Sequence, residues 1–232
     1  MKTGLILEGG AMRGMYTAGV LDVMMENNIW VDGAVGVSAG AVFGCNYKSK
    51  QIGRTIRYNK KYGRDPRYAG FHSLLKTGDY FGTEFCYHEI PERLDPFDSE
   101  TFQKNPAEFY VVGTDVTTGK AVYHKCTTGT DKDLDWFRAS ASMPLLSNIV
   151  EVDGYKLLDG GIADSIPLEW FRSIGYERNI IILTRDKTYH KKKNKMIPLF
   201  KTMLHKYPEV AKAMKQRHIM YNEELRLVEE QE

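Results

Sequence analysis

The stretch A-V-G-V-S-A-G-A-V-F-G, residues 34–44, decides how this chain folds. Residues 34–37 are small or β-branched and apolar and read as a short buried strand, and residues 38 to about 48 read as a helix. Ser38 stands at the junction, with Gly36 two places before it and Gly40 two places after. A strand that turns abruptly into a helix strains the residue at the bend and crowds its neighbours, so only glycine or alanine fits around it. The turn would hold the serine hydroxyl at a helix N-terminus, where backbone N–H groups favour developing negative charge. The pattern G-x-S-x-G is weak by itself. With a strand before it and a helix after it, reading Ser38 as a nucleophile outweighs reading it as a small-residue packing turn.

Working outward, residues 4–7 form another short apolar run, ended by Glu8-Gly9-Gly10. From 14 to 26, apolar residues recur at helical spacing, and Asp32-Gly33 marks a turn into the second strand. Strand, glycine loop, helix, strand, sharp turn, helix is the opening of a parallel α/β sheet. Residues 51–106 are less regular, rich in aromatics and broken by Pro66, Gly70, Gly78, Gly82, Pro91 and Pro96. Strand signals return at 109–112 and 121–124, joined through T-T-G-K, and residues 131–142 look helical up to Pro144. Runs 149–152 and 155–158 flank Asp153-Gly154, a hairpin signal. Residues 168–174 read as a helix and 179–183 as a buried strand. Beyond Asp186 the chain turns basic over 189–195, and residue 196 onward reads as one or two amphipathic helices. The stripe Met196, Leu199, Phe200, Met203, Leu204 reads as core. The expectation is one α/β domain over 1–232, a three-layer α/β/α arrangement around a central, mostly parallel sheet.

Composition narrows the function classes. Of 232 residues, 42% are apolar and 27% charged, ordinary for a soluble globular protein. A net charge of +2 does not by itself imply a polyanionic partner, so no nucleic acid is expected. The three cysteines, Cys45, Cys86 and Cys126, show neither a disulfide framework nor C-x-x-C spacing, which suits a reducing, cytoplasmic setting. The first apolar run stops at Glu8, too short for a signal sequence, and no window approaches the ~20 apolar residues of a membrane span. A soluble protein, peripheral to a membrane at most, is the expectation. The sequence sets no oligomeric state.

A nucleophilic serine needs a proton acceptor. His72, His88 and His124 have no motif around them, His190 sits in the basic run, and His205 and His218 lie in polar helices. The alternative is a carboxylate. Leu157-Leu158-Asp159-Gly160-Gly161 puts an aspartate at the end of an apolar strand, and the two glycines let the backbone approach another loop closely. An unperturbed aspartate, with pKa ~3.9, is a poor base for a hydroxyl; partial burial would strengthen it. The loop Glu8-Gly9-Gly10-Ala11-Met12-Arg13-Gly14 reads as an oxyanion hole, with N–H groups aimed at one spot. Two rivals fit it less well. A dinucleotide fingerprint needs a glycine at Ala11, and a phosphate-binding P-loop needs G-K-[ST] where Gly14-Met15 stands.

Taken together, E-G-G-A-M-R-G at 8–14, G-V-S-A-G at 36–40, A-S-A-S-M-P at 139–144 and D-G-G at 159–161 resemble the patatin-like phospholipase family, in order and over about residues 2–168. The resemblance implies a lipid acyl hydrolase with a Ser38–Asp159 dyad, an acyl-serine intermediate, and neither metal nor other cofactor. It implies that Gly9, Gly10 and Ala11 supply oxyanion-hole N–H groups, supported by Arg13, Gly14, Gly36, Gly40, Gly160 and Gly161. Ala11 stands where the family usually has a third loop glycine, and Ser165 where it often has asparagine. Arg13 matches the loop's basic position and either holds the loop or meets a phosphate. Arg54, Arg57, Lys60, Lys61, Arg64 and Arg67 interleave with Tyr58, Tyr62 and Tyr68, a pattern that suits an anionic membrane surface, nucleic acid or a solvated helix face, with membrane contact expected through Arg54, Arg57, Lys60 and Lys61. Two other function classes stand beside the hydrolase: a non-catalytic lipid-binding or regulatory module on the same fold, and a nucleotide-binding α/β domain.

Overall fold

A computed structural model describes residues 1–130, 132–186 and 188–230. Among them, seven strands form one sheet in the order β5-β6-β3-β2-β1-β7, with β4 also paired to β3. The strands are β1 Lys2–Leu7, β2 Gly33–Val37, β3 Glu108–Asp115, β4 Ala121–Cys126, β5 Val150–Val152, β6 Tyr155–Asp159 and β7 Tyr176–Ile182. The β1–β2, β1–β7 and β2–β3 pairs are parallel, as the alternation of short apolar runs with helices predicts. The β3–β4, β3–β6 and β5–β6 pairs are antiparallel, so the sheet is mixed. The turns Thr117–Lys120 and Asp153-Gly154 are too short for a crossover and force the strands to reverse.

Side chains on the central strands alternate between two apolar layers. Leu5 and Leu7 of β1 and Phe109 and Val111 of β3 face α1 (Gly14–Glu26), α2 (Ala39–Lys48) and α6 (Lys132–Ser140), through Leu21, Met24, Cys45, Trp136 and Phe137. Ile6, Val35, Val37 and Val112 face the other way, onto Phe171 of α7 (Leu168–Ser173) and Tyr221 and Leu225 of α9 (Pro208–Glu229). This is the expected three-layer α/β/α arrangement. The predicted helix over 131–142 is α6; Asp131 itself lies outside the described residues.

The irregular middle is more structured than its sequence suggests. It holds α3 (Arg54–Tyr62), α4 (Phe71–Thr77), a π-helical segment Phe85–Leu94 with Pro91 inside it, and α5 (Ser99–Lys104). Here Tyr58, Tyr62, Tyr68, Phe85 and Ile90 pack with Ala39 and Phe43 of α2. The C-terminal stripe is only partly core. Phe200 and Leu204 are buried with Ile197, on and just after α8 (Ile197–Met203), but Met196, Leu199 and Met203 are exposed. Among the described residues, no helix is long and apolar enough to cross a membrane.

Candidate active site

Strand β3 sets the geometry of the site. Its N-terminal part pairs in parallel with β2, ending with Val37 against Val112, and its C-terminal part pairs antiparallel with β6, starting with Asp159 against Gly113. Two strands on the same side of β3 therefore run toward each other and stop at adjacent rungs. The residue after β2 is Ser38 and the last residue of β6 is Asp159. Residues 121 apart in sequence reach one cavity by this head-to-head arrangement.

Ser38 has φ 55° and ψ −121°, a conformation disfavoured for a residue with a Cβ, costing about 1–3 kcal/mol. The surroundings enforce it. Its N–H donates to Ser140 Oγ at 2.9 Å, and its carbonyl accepts from the Ala41 and Val42 N–H groups of α2. The small residues act by close approach: a Cβ on Gly40 would overlap the Leu7 carbonyl oxygen, and one on Gly36 would meet the Gly40 carbonyl at 2.5 Å. A Cβ on Gly9 would lie 2.8 Å from that of Ser38, so the glycine loop is pressed against the serine. The A-S-A-S segment braces both residues, because the Asp159 N–H donates to the Ser142 carbonyl at 2.7 Å.

Asp159 is buried, 4% exposed. Its Oδ1 accepts from the Gly161 N–H at 2.8 Å, which closes the D-G-G turn. The Gly161 carbonyl accepts in turn from Ser165 Oγ at 2.8 Å and from Arg217 Nε. Gly160 packs against the Val112 carbonyl of β3, where a Cβ would not fit. Burial pushes the Asp159 carboxyl above its ordinary value; Arg217, the Ser38 hydroxyl and the Gly161 N–H act in the opposite direction. The net effect is a stronger base than a free aspartate.

The Gly9 loop starts from an anchored carboxylate. Buried Glu8 accepts from Tyr221 OH at 2.7 Å, from the Thr184 N–H at 2.5 Å and from Thr184 Oγ1 at 3.0 Å. Ala11 takes φ 48°, in the left-handed region where glycine is at ease, which gives a physical reason for the glycine usual at this position. The N–H groups of Gly9, Gly10 and Ala11 donate to no backbone or side-chain acceptor among the described residues. Arg13 lies beside Gly10, and Gly14 packs its α-carbon against Ala39 and Phe43.

Two cavities meet at Ser38, Ala11 and Met143. One, about 920 Å³ of atom-free space partly open to solvent, is walled by apolar and aromatic side chains including Val42, Phe43, Tyr58, Phe81, Ile90 and Phe137. The other, about 590 Å³, is polar and holds Glu8, Arg13, Asp159, Lys191, Arg217 and Tyr221. The sequence reading missed Lys191, Arg217 and Tyr221. The available signal was the buried face of α9, where Val210, Met214, Tyr221 and Leu225 recur at helical spacing and Arg217 falls between them.

The basic stretch at 54–61 requires a correction. Arg54 is 4% exposed; it donates to the Asp95 carbonyl and Asn46 Oδ1 and cannot reach a membrane surface. Arg57 is tied to the Asp95 carboxylate at 2.7 Å, and Tyr58 and Tyr62 are core. Lys60 and Lys61 are exposed. His124, Cys126 and Asp133 come within 4.8 Å of one another, yet Asp133 Oδ2 already accepts from the N–H groups of Thr127, Thr128 and Gly129 and from Thr128 Oγ1. That oxygen is a loop staple rather than an open metal ligand.

Residues 5–171 match the family described as Patatin-like phospholipase. The chain belongs to this family. Among curated relatives, it is 27% identical over 185 residues to "Lysophospholipase nte1" of Aspergillus niger, covering 75% of this chain and 11% of the relative. It is 27% identical over 184 residues to "Neuropathy target esterase sws" of Drosophila melanogaster, covering 77% of this chain and 12% of the relative. A "Putative patatin-like phospholipase domain-containing protein M110.7" of Caenorhabditis elegans is 24% identical over 187 residues, 77% of this chain and 16% of its own length. The chain thus spans a small fraction of the length of these relatives.

Proposed function

We propose that this patatin-like chain is a serine hydrolase that cleaves acyl ester bonds of lipids. The observation that carries the reading is the head-to-head meeting of Ser38, in its enforced backbone conformation, with buried Asp159, across adjacent rungs of β3. Ser38 Oγ attacks the ester carbonyl carbon and its proton passes to the Asp159 carboxylate. The carbonyl oxygen becomes an oxyanion held by the N–H groups of Gly9, Gly10 and Ala11. The carbon–oxygen bond to the alcohol then breaks, the departing oxygen takes the proton from Asp159, and the acyl group remains on Ser38. Water attacks this ester, gives its proton to Asp159, and the fatty acid leaves as the proton returns to Ser38 Oγ.

The apolar cavity suits the acyl chain, since it begins at Ser38 and is walled by aliphatic and aromatic groups. A lysophospholipase-type substrate, with one chain, suits this cavity, and the printed name of the Aspergillus niger relative, "Lysophospholipase nte1", points the same way. The test is fatty-acid release from monoacyl phospholipids and monoacylglycerols by wild type and Ser38→Ala. Release that vanishes in the variant supports the proposal. A folded wild type that binds these lipids without releasing acid contradicts it and favours a lipid-binding module.

A further inference from the structure

We propose that the polar cavity beside Ser38 is a head-group site for a phosphate that carries no compensating cation, so that the preferred substrate is an acyl glycerophosphate rather than a zwitterionic or uncharged acyl lipid. This names the substrate of the site described above and rests, for turnover, on the hydrolase reading; its binding consequence is independent of turnover.

Three cations from distant parts of the chain border this cavity: Arg13 after the glycine loop, Lys191 from the segment after β7, and Arg217 from α9. None of the three forms an ion pair with a carboxylate within 4.0 Å among the described residues. Glu8 and Asp159 line the same cavity, so the three cations exceed the two carboxylates by one charge. Glu8 accepts from Tyr221 and Thr184, and Asp159 closes its own turn and faces Ser38. A cavity with low-dielectric walls and unpaired cations favours an anion.

Lys191 is held there by construction. Its N–H donates to Asn222 Oδ1 at 2.8 Å and its carbonyl accepts from Asn222 Nδ2 at 3.1 Å, so the segment is clipped to α9 through the backbone. The side chain crosses the Tyr221 ring, with Nζ 4.2 Å from the centroid. Burial, then the neighbouring Arg217, bring its ammonium down to about 8, against the opposing pull of Glu8. A phosphate oxygen would add a direct counter-charge at Nζ. Arg217 has Nε on the Gly161 carbonyl, and Arg13 lies beside Gly10, so the cations flank the proton acceptor and the oxyanion loop. An ester carbonyl at Ser38, with its chain in the apolar cavity, would direct its glycerol side toward them.

The experiment uses short-chain, water-soluble ligands with one acyl group. Binding to Ser38→Ala is measured by calorimetry for an acylglycerol phosphate, the matched monoacylglycerol, the matched acylglycerol phosphocholine and inorganic phosphate. The expected result is that the acylglycerol phosphate binds about tenfold or more tightly than the other two lipids. This preference should collapse in Ser38→Ala/Lys191→Met and return in Ser38→Ala/Lys191→Arg. Equal affinities for the three lipids overturn the inference, as does a preference that survives Lys191→Met unchanged. Inorganic phosphate binding as tightly as the acylglycerol phosphate makes this a free-phosphate site and overturns the head-group assignment. Fatty-acid release by wild type from the same lipids separates the two claims. Preferential binding without release refutes the hydrolase and leaves the head-group site standing, and release without preference does the reverse.

Discussion

The two cavities that share Ser38 are built from different parts of the chain. The apolar one draws its walls from residues between Ala11 and Met143, within the span that matches the family. The polar one closes only when Lys191, Arg217 and Tyr221 arrive from beyond residue 171. The strand geometry that brings Ser38 and Asp159 together belongs to the shared core. The positive charge around their far side comes from Arg13 of the family-matched span, from Lys191 after β7 and from Arg217 of α9, a helix packed on the opposite face of the sheet from α1, α2 and α6. On the proposed reading, the chemistry and the acyl grip belong to the family-matched part, and head-group choice draws on both parts.

The comparison can be broken at its common point or sharpened at either wall. The largest effect is expected from Ser38→Ala, which removes the group both cavities serve: fatty-acid release should fall by about 10⁴-fold or more for every head group and chain length. Val42→Trp should fill part of the apolar wall and leave the polar one intact. Displacing about four methylenes of a long chain costs about 3 kcal/mol, on the order of a hundredfold in kcat/KM, while short-chain esters are spared. A chain-length series measures this, and equal losses for short and long chains would remove the acyl cavity from the account.

Stability provides the next contrast. On the polar side α9 is docked by a buried carboxyl pair: Glu224 accepts from the Ser165 and Ile166 N–H groups, and Asp164 accepts from Tyr123 OH at 2.6 Å. Burial and the adjacent Asp164 raise Glu224 to about 9. The folded state holds this proton more tightly than the unfolded one, so the stabilisation is full below the unfolded value near 4.5 and is lost as pH rises through about 9. Melting curves should show Glu224→Gln losing less stability than wild type between pH 6 and about 9, and parallel losses would refute the raised Glu224 carboxyl. The smallest effect is expected at Ala11, where φ 48° strains a residue with a Cβ. Ala11→Gly should raise stability by up to about 1 kcal/mol in denaturant unfolding, because relief of strain outweighs the added chain freedom.

Much of the fold was legible because its first third follows simple periodicities: short apolar runs for strands, helical spacing for α1 and α2, and glycines where backbones touch. Ser38 and Asp159 were legible for the same reason, since each ends an apolar strand beside glycines. Residues 51–106 were not. The buried face of α3 is Arg54, Thr55, Tyr58, Asn59 and Tyr62, helical in spacing but polar or amphipathic in composition. Arg54 is buried because Asp95 and Asn46 satisfy its donors, which no local pattern reveals. Arg217 and Lys191 escaped similarly: Lys191 stands between exposed His190 and Lys192, Arg217 follows exposed Lys215 and Gln216, and only the packing of α9 gives these two a different surrounding.

The most direct test of the account is the rate at which a fluorophosphonate labels the protein between pH 4 and 9, with the adduct located by mass spectrometry, in wild type, Ser38→Ala and Asp159→Asn. The account predicts labelling at Ser38 alone, none in Ser38→Ala, and a rate at least about a hundredfold lower in Asp159→Asn. It also predicts an acid limb in wild type, set by the raised carboxyl of Asp159, that lies above the ordinary aspartate value of ~3.9. Labelling of Asp159→Asn at the wild-type rate with the acid limb unchanged would contradict it and require another proton acceptor for Ser38.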